Sequence, residues 1–137
     1  MIDKLREILA GPVAAPFVKS LALQVVGASP DEVTLSLPVA PHIVHGEGVL
    51  CGQAIMAAMD LAMVLAVVAN AGVNYRPMTT VQLQTSFLRG VPADAGEVKL
   101  VARVLHAGTR LAFGGFLLSS PMQLFDDVIS TRQHGRR

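Results

Sequence analysis

The sequence predicts an α+β domain in which an antiparallel sheet of about five to six strands wraps around one long central helix. Three observations point there: a long apolar stretch over 49–69, β-rich runs on both sides of it, and short turn-like connections between the later runs. Short connections make consecutive strands antiparallel neighbours, and a helix that is apolar nearly all round must be covered on most of its sides.

The elements follow in chain order. Residues 1–10 form a short amphipathic helix with Ile2, Leu5, Ile8 and Leu9 on one side, unlike the charged-then-apolar pattern of a signal peptide. A Pro/Gly/Ala loop covers 11–16. Residues 18–26 and 32–39 read as strands, and Gly27-Ala28-Ser29-Pro30-Asp31 between them has the composition of a hairpin connection. In the second strand Val33, Leu35, Leu37 and Val39 alternate with Thr34, Ser36 and Pro38, the period of a half-buried strand.

A loop over 41–48 carries His42 and His45 and leads into the long helix, which starts near 50–52. Asn70, Gly72 and Asn74 supply its stop signals. Three more strands are expected at 78–88, 96–106 and 110–118, connected by 92–95 and 107–109. The tail, 119–137, is harder to place: 122–129 suits a last strand or a short helix, and 133–137 is expected to fray.

Composition narrows the function classes. A chain of 137 residues holds one core, so 1–137 is expected to be a single domain. With 52% hydrophobic and 15% charged residues, it is poor in the polar groups a monomer needs to cover itself, which points to self-association. Net charge is +1 and the cations are scattered apart from 132–137, which is no nucleic-acid footprint. A single cysteine, Cys51, makes neither an internal disulfide nor a cysteine-rich metal site and suits a reducing cytoplasm. His42 with His45 is too small a set for zinc, and no phosphate-binding loop is present. Residues 49–69 are long enough to span a membrane, but Gln53 and Asp60 interrupt them. A central Asp costs about 2.5–3.5 kcal/mol on insertion scales, so a buried helix is the better reading and no membrane is expected.

Asp60 is the only charged side chain between Gly48 and Tyr75. A carboxylate in apolar surroundings must be paired, hydrogen-bonded or protonated, so Asp60 is either a reacting group or a structural plug. Eight residues earlier, Gly52 falls in the first turn of the same helix. Free N–H groups there polarise a carbonyl or hold an oxyanion, and glycine lets a ligand come close; a tight loop-to-helix junction is the plain alternative. At ~1.5 Å per residue the two lie about 12 Å apart along the axis, too far to serve one reacting centre within a chain. If both react, Gly52 of one subunit faces Asp60 of another across a two-fold axis.

The stretch Val49-Leu50-Cys51-Gly52-Gln53-Ala54-Ile55-Met56-Ala57-Ala58-Met59-Asp60 resembles the loop-plus-helix motif of PaaI-like acyl-CoA thioesterases, a His-Gly-Gly start followed by small and apolar residues and then Asp. The likeness continues through Thr79–Arg89 and 96–118 with its His106-Ala107-Gly108-Thr109-Arg110-Leu111 turn, and covers roughly 35–118. It implies the hotdog fold and hydrolysis of an acyl-CoA thioester by a homodimer or homotetramer, with no cofactor beyond the coenzyme A of the substrate. It also implies an Asp that activates water or attacks the carbonyl, a Gly amide that polarises the carbonyl, and a Ser/Thr that assists, roles that fall on Asp60, Gly52 and Thr80. A water-orienting Asn of the family falls on His45. Two positions depart from the family: its motif His is Cys51 and its second Gly is Gln53, both placed to influence the substrate. The resemblance further implies that 87–92 and 106–111 line the coenzyme path, with Phe87, Arg89, His106, Gly108 and Arg110 contributing and the two guanidinium forks meeting phosphate.

Cys51 as a nucleophile is a separate possibility, since a thiol at a helix N-terminus can be activated, yet a free Cys more commonly packs as a small hydrophobe. Two other functions compete with the hydrolase. One is a non-catalytic acyl-CoA-binding or regulatory domain whose helix start has drifted to Cys-Gly-Gln, against which stands the presence of Asp60. The other is a hydroxyacyl thioester dehydratase pairing His45 with Asp60, against which stand the residues between them.

Overall fold

The helix expected at the start forms over Ile2–Ala10 (α1). Leu5 is its anchor and is fully buried, while Ile2, Ile8 and Leu9 pack at the margin of the core. The computed structural model describes residues 1–12, 14–72 and 76–119, together with the backbone of 131–132.

Residues 18–26 are not one strand. Pro16–Ser20 is a short helix (α2), and the strand is confined to Gln24–Ala28 (β1). The cause is local. Pro16 occupies the first turn of α2, where its missing N–H costs nothing and its fixed φ suits a helix, and Ala22 then turns the chain with φ 54°. The hairpin is tighter than expected: Ser29 N–H donates to the Glu32 carbonyl at 2.8 Å, and Glu32–Pro38 (β2) returns antiparallel to β1.

Glu97–Ala107 (β3) pairs with β2, and Ala112–Ser119 (β4) pairs with β3. A two-residue strand, Thr131–Arg132 (β5), adds to β4. The described sheet therefore has four full strands and a short fifth in the order β1-β2-β3-β4-β5, all antiparallel, the low end of the five to six expected. Its inner face is built in rows: Leu35 lies opposite Leu100 and Leu100 opposite Leu118, and Val33, Ala102 and Phe116 form the next row. All six are buried, and the alternation read in β2 holds for Val33, Leu35 and Leu37.

The long helix runs from Gly52 to Ala71 (α3), ending at Gly72 with φ 60°, a left-handed conformation that glycine takes without strain. It packs across β2, β3 and β4. Ala54, Ala58, Ala62, Ala66 and Ala69 are all buried along it. Small side chains in a row of this kind let a helix lie close to the surface it packs on. By length and composition alone α3 could cross a membrane, but ten of its residues are buried within this fold. Its less buried strip holds Gln53, Met56, Asp60, Val64 and Val67.

The strand expected at 78–88 is not a member of the described sheet. Met78, Val81, Phe87 and Leu88 of this segment are exposed. Within it Thr85 takes part in a bridge, and the described sheet ends at β5. The expected element at 122–129 and the frayed end at 133–137 lie outside the described residues.

Candidate active site

Two half-sites form on α3, one at its start and one at its middle. At the start, Val44 and Leu50 form a bridge and Gly48 turns the intervening loop with φ 79°. Leu50 N–H donates to the Val91 carbonyl and Cys51 N–H to the Ile43 carbonyl, each at 2.8 Å. These bonds hold the entry to α3 and use up the donors just before it. Among the described residues no backbone bond consumes the Gly52 N–H, which opens the first turn of α3, and the Cys51 side chain does not cap it. The donor expected at Gly52 is thus present at the positive end of the helix.

Phe87 lies beside this helix start. A Cβ placed on Gly52 would meet the Phe87 ring at 3.4 Å and 3.6 Å, ordinary van der Waals contact that puts the ring directly over the helix start. The bridge between Val49 and Pro92 and the Ala93 N–H bond to the Gly48 carbonyl dock the end of the same segment on the loop. Phe87 therefore belongs to the Gly52 half-site, Arg89 follows two residues on and is exposed, and Gln53 is exposed at the helix start while Cys51 is partly buried.

The middle half-site is centred on Asp60, which is partly buried. Thr80 Oγ1 donates a hydrogen bond to Asp60 Oδ1, joining α3 to the segment after it. Asp60 and Thr80 border a groove of ≈ 930 Å³. Val64 and Val67 of α3, Phe113 of β4 and Leu111 give it apolar walls, and Gly108 and Arg110 stand at the β3–β4 turn on its far side. His106 does not reach the groove; it stacks on Phe113 with ring centroids 6.3 Å apart.

His45 sits in the loop before α3, where its Nδ1 accepts the Glu47 backbone N–H at 3.0 Å. That leaves Nε2–H as its outward donor. His42 Nε2 bonds the Ser20 carbonyl oxygen at 2.9 Å and ties the loop to α2. Among the described residues no group of three or more His, Cys, Asp or Glu is placed to hold a metal.

Sequence reasoning reached Asp60, Thr80, Gly108 and Arg110 around the groove and Gly52 with Phe87 at the other end. It missed Met63 and Val67, which line the groove from α3. Their spacing of three and seven residues from Asp60 puts them on its face of the helix, a signal present in the sequence.

A sheet curled in this way around one long helix is the hotdog fold. Solved structures with the same architecture include thioesterase superfamily member 2 from zebrafish (TM-score 0.83, 19% identity, 96% of this chain and 94% of that one). The PaaI protein of the phenylacetic acid degradation operon of E. coli is another (TM-score 0.70, 17% identity, 83% and 82%). At higher identity, a conserved protein from Pseudomonas aeruginosa is 30% identical over 86% of this chain and 90% of that one, with a TM-score of 0.75. No curated protein sequence matches significantly. The thioesterase superfamily model matches residues 47–119, which contain both half-sites, and the chain belongs to that superfamily.

Proposed function

We propose that the chain, as one hotdog domain over 1–137, hydrolyses an acyl-CoA thioester at sites shared between two subunits. The observation that carries this reading is the Asp60–Thr80 pair at the rim of a groove with apolar walls, a carboxylate held beside room for an acyl group. Thr80 uses one oxygen of the carboxylate, and the other is left to a water or to the carbonyl carbon.

In the reaction, Asp60 takes a proton from water as the water oxygen bonds to the thioester carbon, and the carbonyl oxygen becomes an oxyanion. The Gly52 N–H of the partner subunit stabilises that oxyanion. The oxyanion then reforms the carbonyl, the C–S bond breaks, and the departing thiolate takes the proton from Asp60. Attack by Asp60 itself, with hydrolysis of the resulting anhydride, uses the same groups. His45 offers an outward N–H that would orient the water. Phe87 and Arg89 on one side, and His106, Gly108 and Arg110 on the other, would border the coenzyme, with Cys51 and Gln53 at the helix start shaping the acyl entrance.

Self-association completes the site. The strip Met56, Val64 and Val67 on α3 is apolar and only partly buried, and Asp60 lies within it. Antiparallel pairing of two α3 helices across a two-fold axis would cover this strip and bring each Gly52 to the partner's Asp60. A homodimer, or a homotetramer of such pairs, in the cytoplasm, without metal or redox cofactor, fits this chemistry.

The test is thiol release from short, long and aryl acyl-CoAs by the native protein and by Asp60→Asn, which keeps shape but removes the base. Turnover by the native protein that collapses in the variant supports the hydrolase. Binding without thiol release by either protein would transfer the function to an acyl-CoA-binding domain, and enoyl product from a 3-hydroxyacyl thioester would indicate a dehydratase.

A further inference from the structure

Gly114 faces inward from β4, in line with the buried Phe116 and Leu118, where a core side chain would ordinarily stand. A Cβ built on it would fall on the Met63 thioether, overlapping both Sδ and Cε, and would lie 2.6 Å from the Arg103 carbonyl oxygen. Met63 therefore occupies the space that any other residue at 114 would fill. A glycine inside a strand marks a close approach, and here the approaching group is a flexible side chain of α3.

Met63 also lines the groove beside Asp60, one turn further along α3. It is only 3% exposed, so it stands between the groove and the bare backbone of Gly114 as a plug.

We infer that Met63, seated on the bare backbone of Gly114, closes the inner end of the acyl groove and sets the length of acyl chain the protein accepts. The inference rests on the reading of Asp60 as the reacting carboxylate and adds the substrate class: acyl groups short enough to end at the thioether. Longer chains must displace a buried side chain, and discrimination of about 10–200-fold per methylene is within reach of an apolar pocket.

The experiment measures kcat/KM and, separately, dissociation constants for a homologous series of straight-chain acyl-CoAs, using the native protein and Met63→Ala. The variant removes Cγ, Sδ and Cε and opens the space over Gly114. The expected result is a shift of the preferred chain to longer acyl groups, with at least about a tenfold gain for a long chain relative to the best short one. Met63→Val, which removes Sδ and Cε but keeps a branched side chain in the core, carries the same expectation if the alanine variant does not fold. An unchanged chain-length profile in a folded variant overturns the inference and leaves the hydrolase reading intact. A shift in bound chain length without turnover in either protein supports the inference about the groove while defeating the hydrolase reading.

Discussion

The Thr80 hydroxyl donates to Asp60 Oδ1 across twenty residues of sequence, so the segment after α3 holds the carboxylate that α3 displays. The bond engages one oxygen of a carboxylate that borders the groove. Losing it frees the carboxylate to rotate on its helix.

Thr80→Ala is expected to lower kcat by about ten- to a hundredfold, since hydrogen bonds to charged groups contribute about 1.5–3 kcal/mol and each 1.36 kcal/mol is tenfold in rate. KM should change much less. Thr80→Ser keeps the hydroxyl and should retain most of the rate. Steady-state kinetics on the three proteins decide it, and equal loss in the serine and alanine variants would remove the hydroxyl from the account.

Gly114→Ala should destabilise the protein. The new Cβ meets both the Met63 thioether and a backbone oxygen that cannot step aside, and overpacking of this kind costs about 1–3 kcal/mol. Thermal or urea unfolding measures it, and measured against Met63→Ala alone the double variant should recover part of that cost, because only the backbone contact then remains. No recovery would mean that the thioether is not the principal obstacle.

Acid stability should depend on a pair in which the buried Ser36 meets the exposed Glu97. Ser36 Oγ donates to Glu97 Oε2 at 2.5 Å, and this bond, with Lys99 second, holds the Glu97 carboxyl below its ordinary range. A carboxyl whose pKa is depressed on folding stabilises the fold above its unfolded pKa, and that stabilisation is lost as pH falls through the folded pKa. The melting temperature of the native protein should therefore fall more steeply below about pH 4.5 than that of Ser36→Ala. Parallel curves would deny the coupling.

Much of this architecture could be read from the residues because the signals are local. The ends of α3 follow from Gly52 and from the Asn70-Ala71-Gly72 stop, and the inner face of β2 from strict alternation. Two errors have one origin in the limits of such signals. Residues 18–26 have strand-like composition, yet Pro16 two residues upstream starts a helix and leaves only 24–26 of the run in the strand. Residues 78–88 are β-rich, but among the described residues only Thr85 of this run takes part in a bridge, because composition reports suitability for a sheet and not register with a neighbour. The site divides similarly. Asp60 stands out as an isolated charge, while the lodging of Met63 on Gly114 joins residues fifty-one apart and is visible only once α3 lies on β4.

The central claim, a site shared between subunits, is tested most directly by mixing two inactive variants. Asp60→Asn removes the carboxylate, and Gly52→Pro removes the N–H at a first helical position that tolerates proline, after a Cys51 already extended at φ −70° and ψ 143°. Chains are exchanged by dissociation and reassociation and assayed on the acyl-CoA that the native protein hydrolyses fastest. If each site combines Asp60 of one subunit with Gly52 of the other, every mixed pair has one intact site, and an equal mixture should recover about a quarter of native turnover. Mixed pairs that form but stay inactive would contradict the shared site.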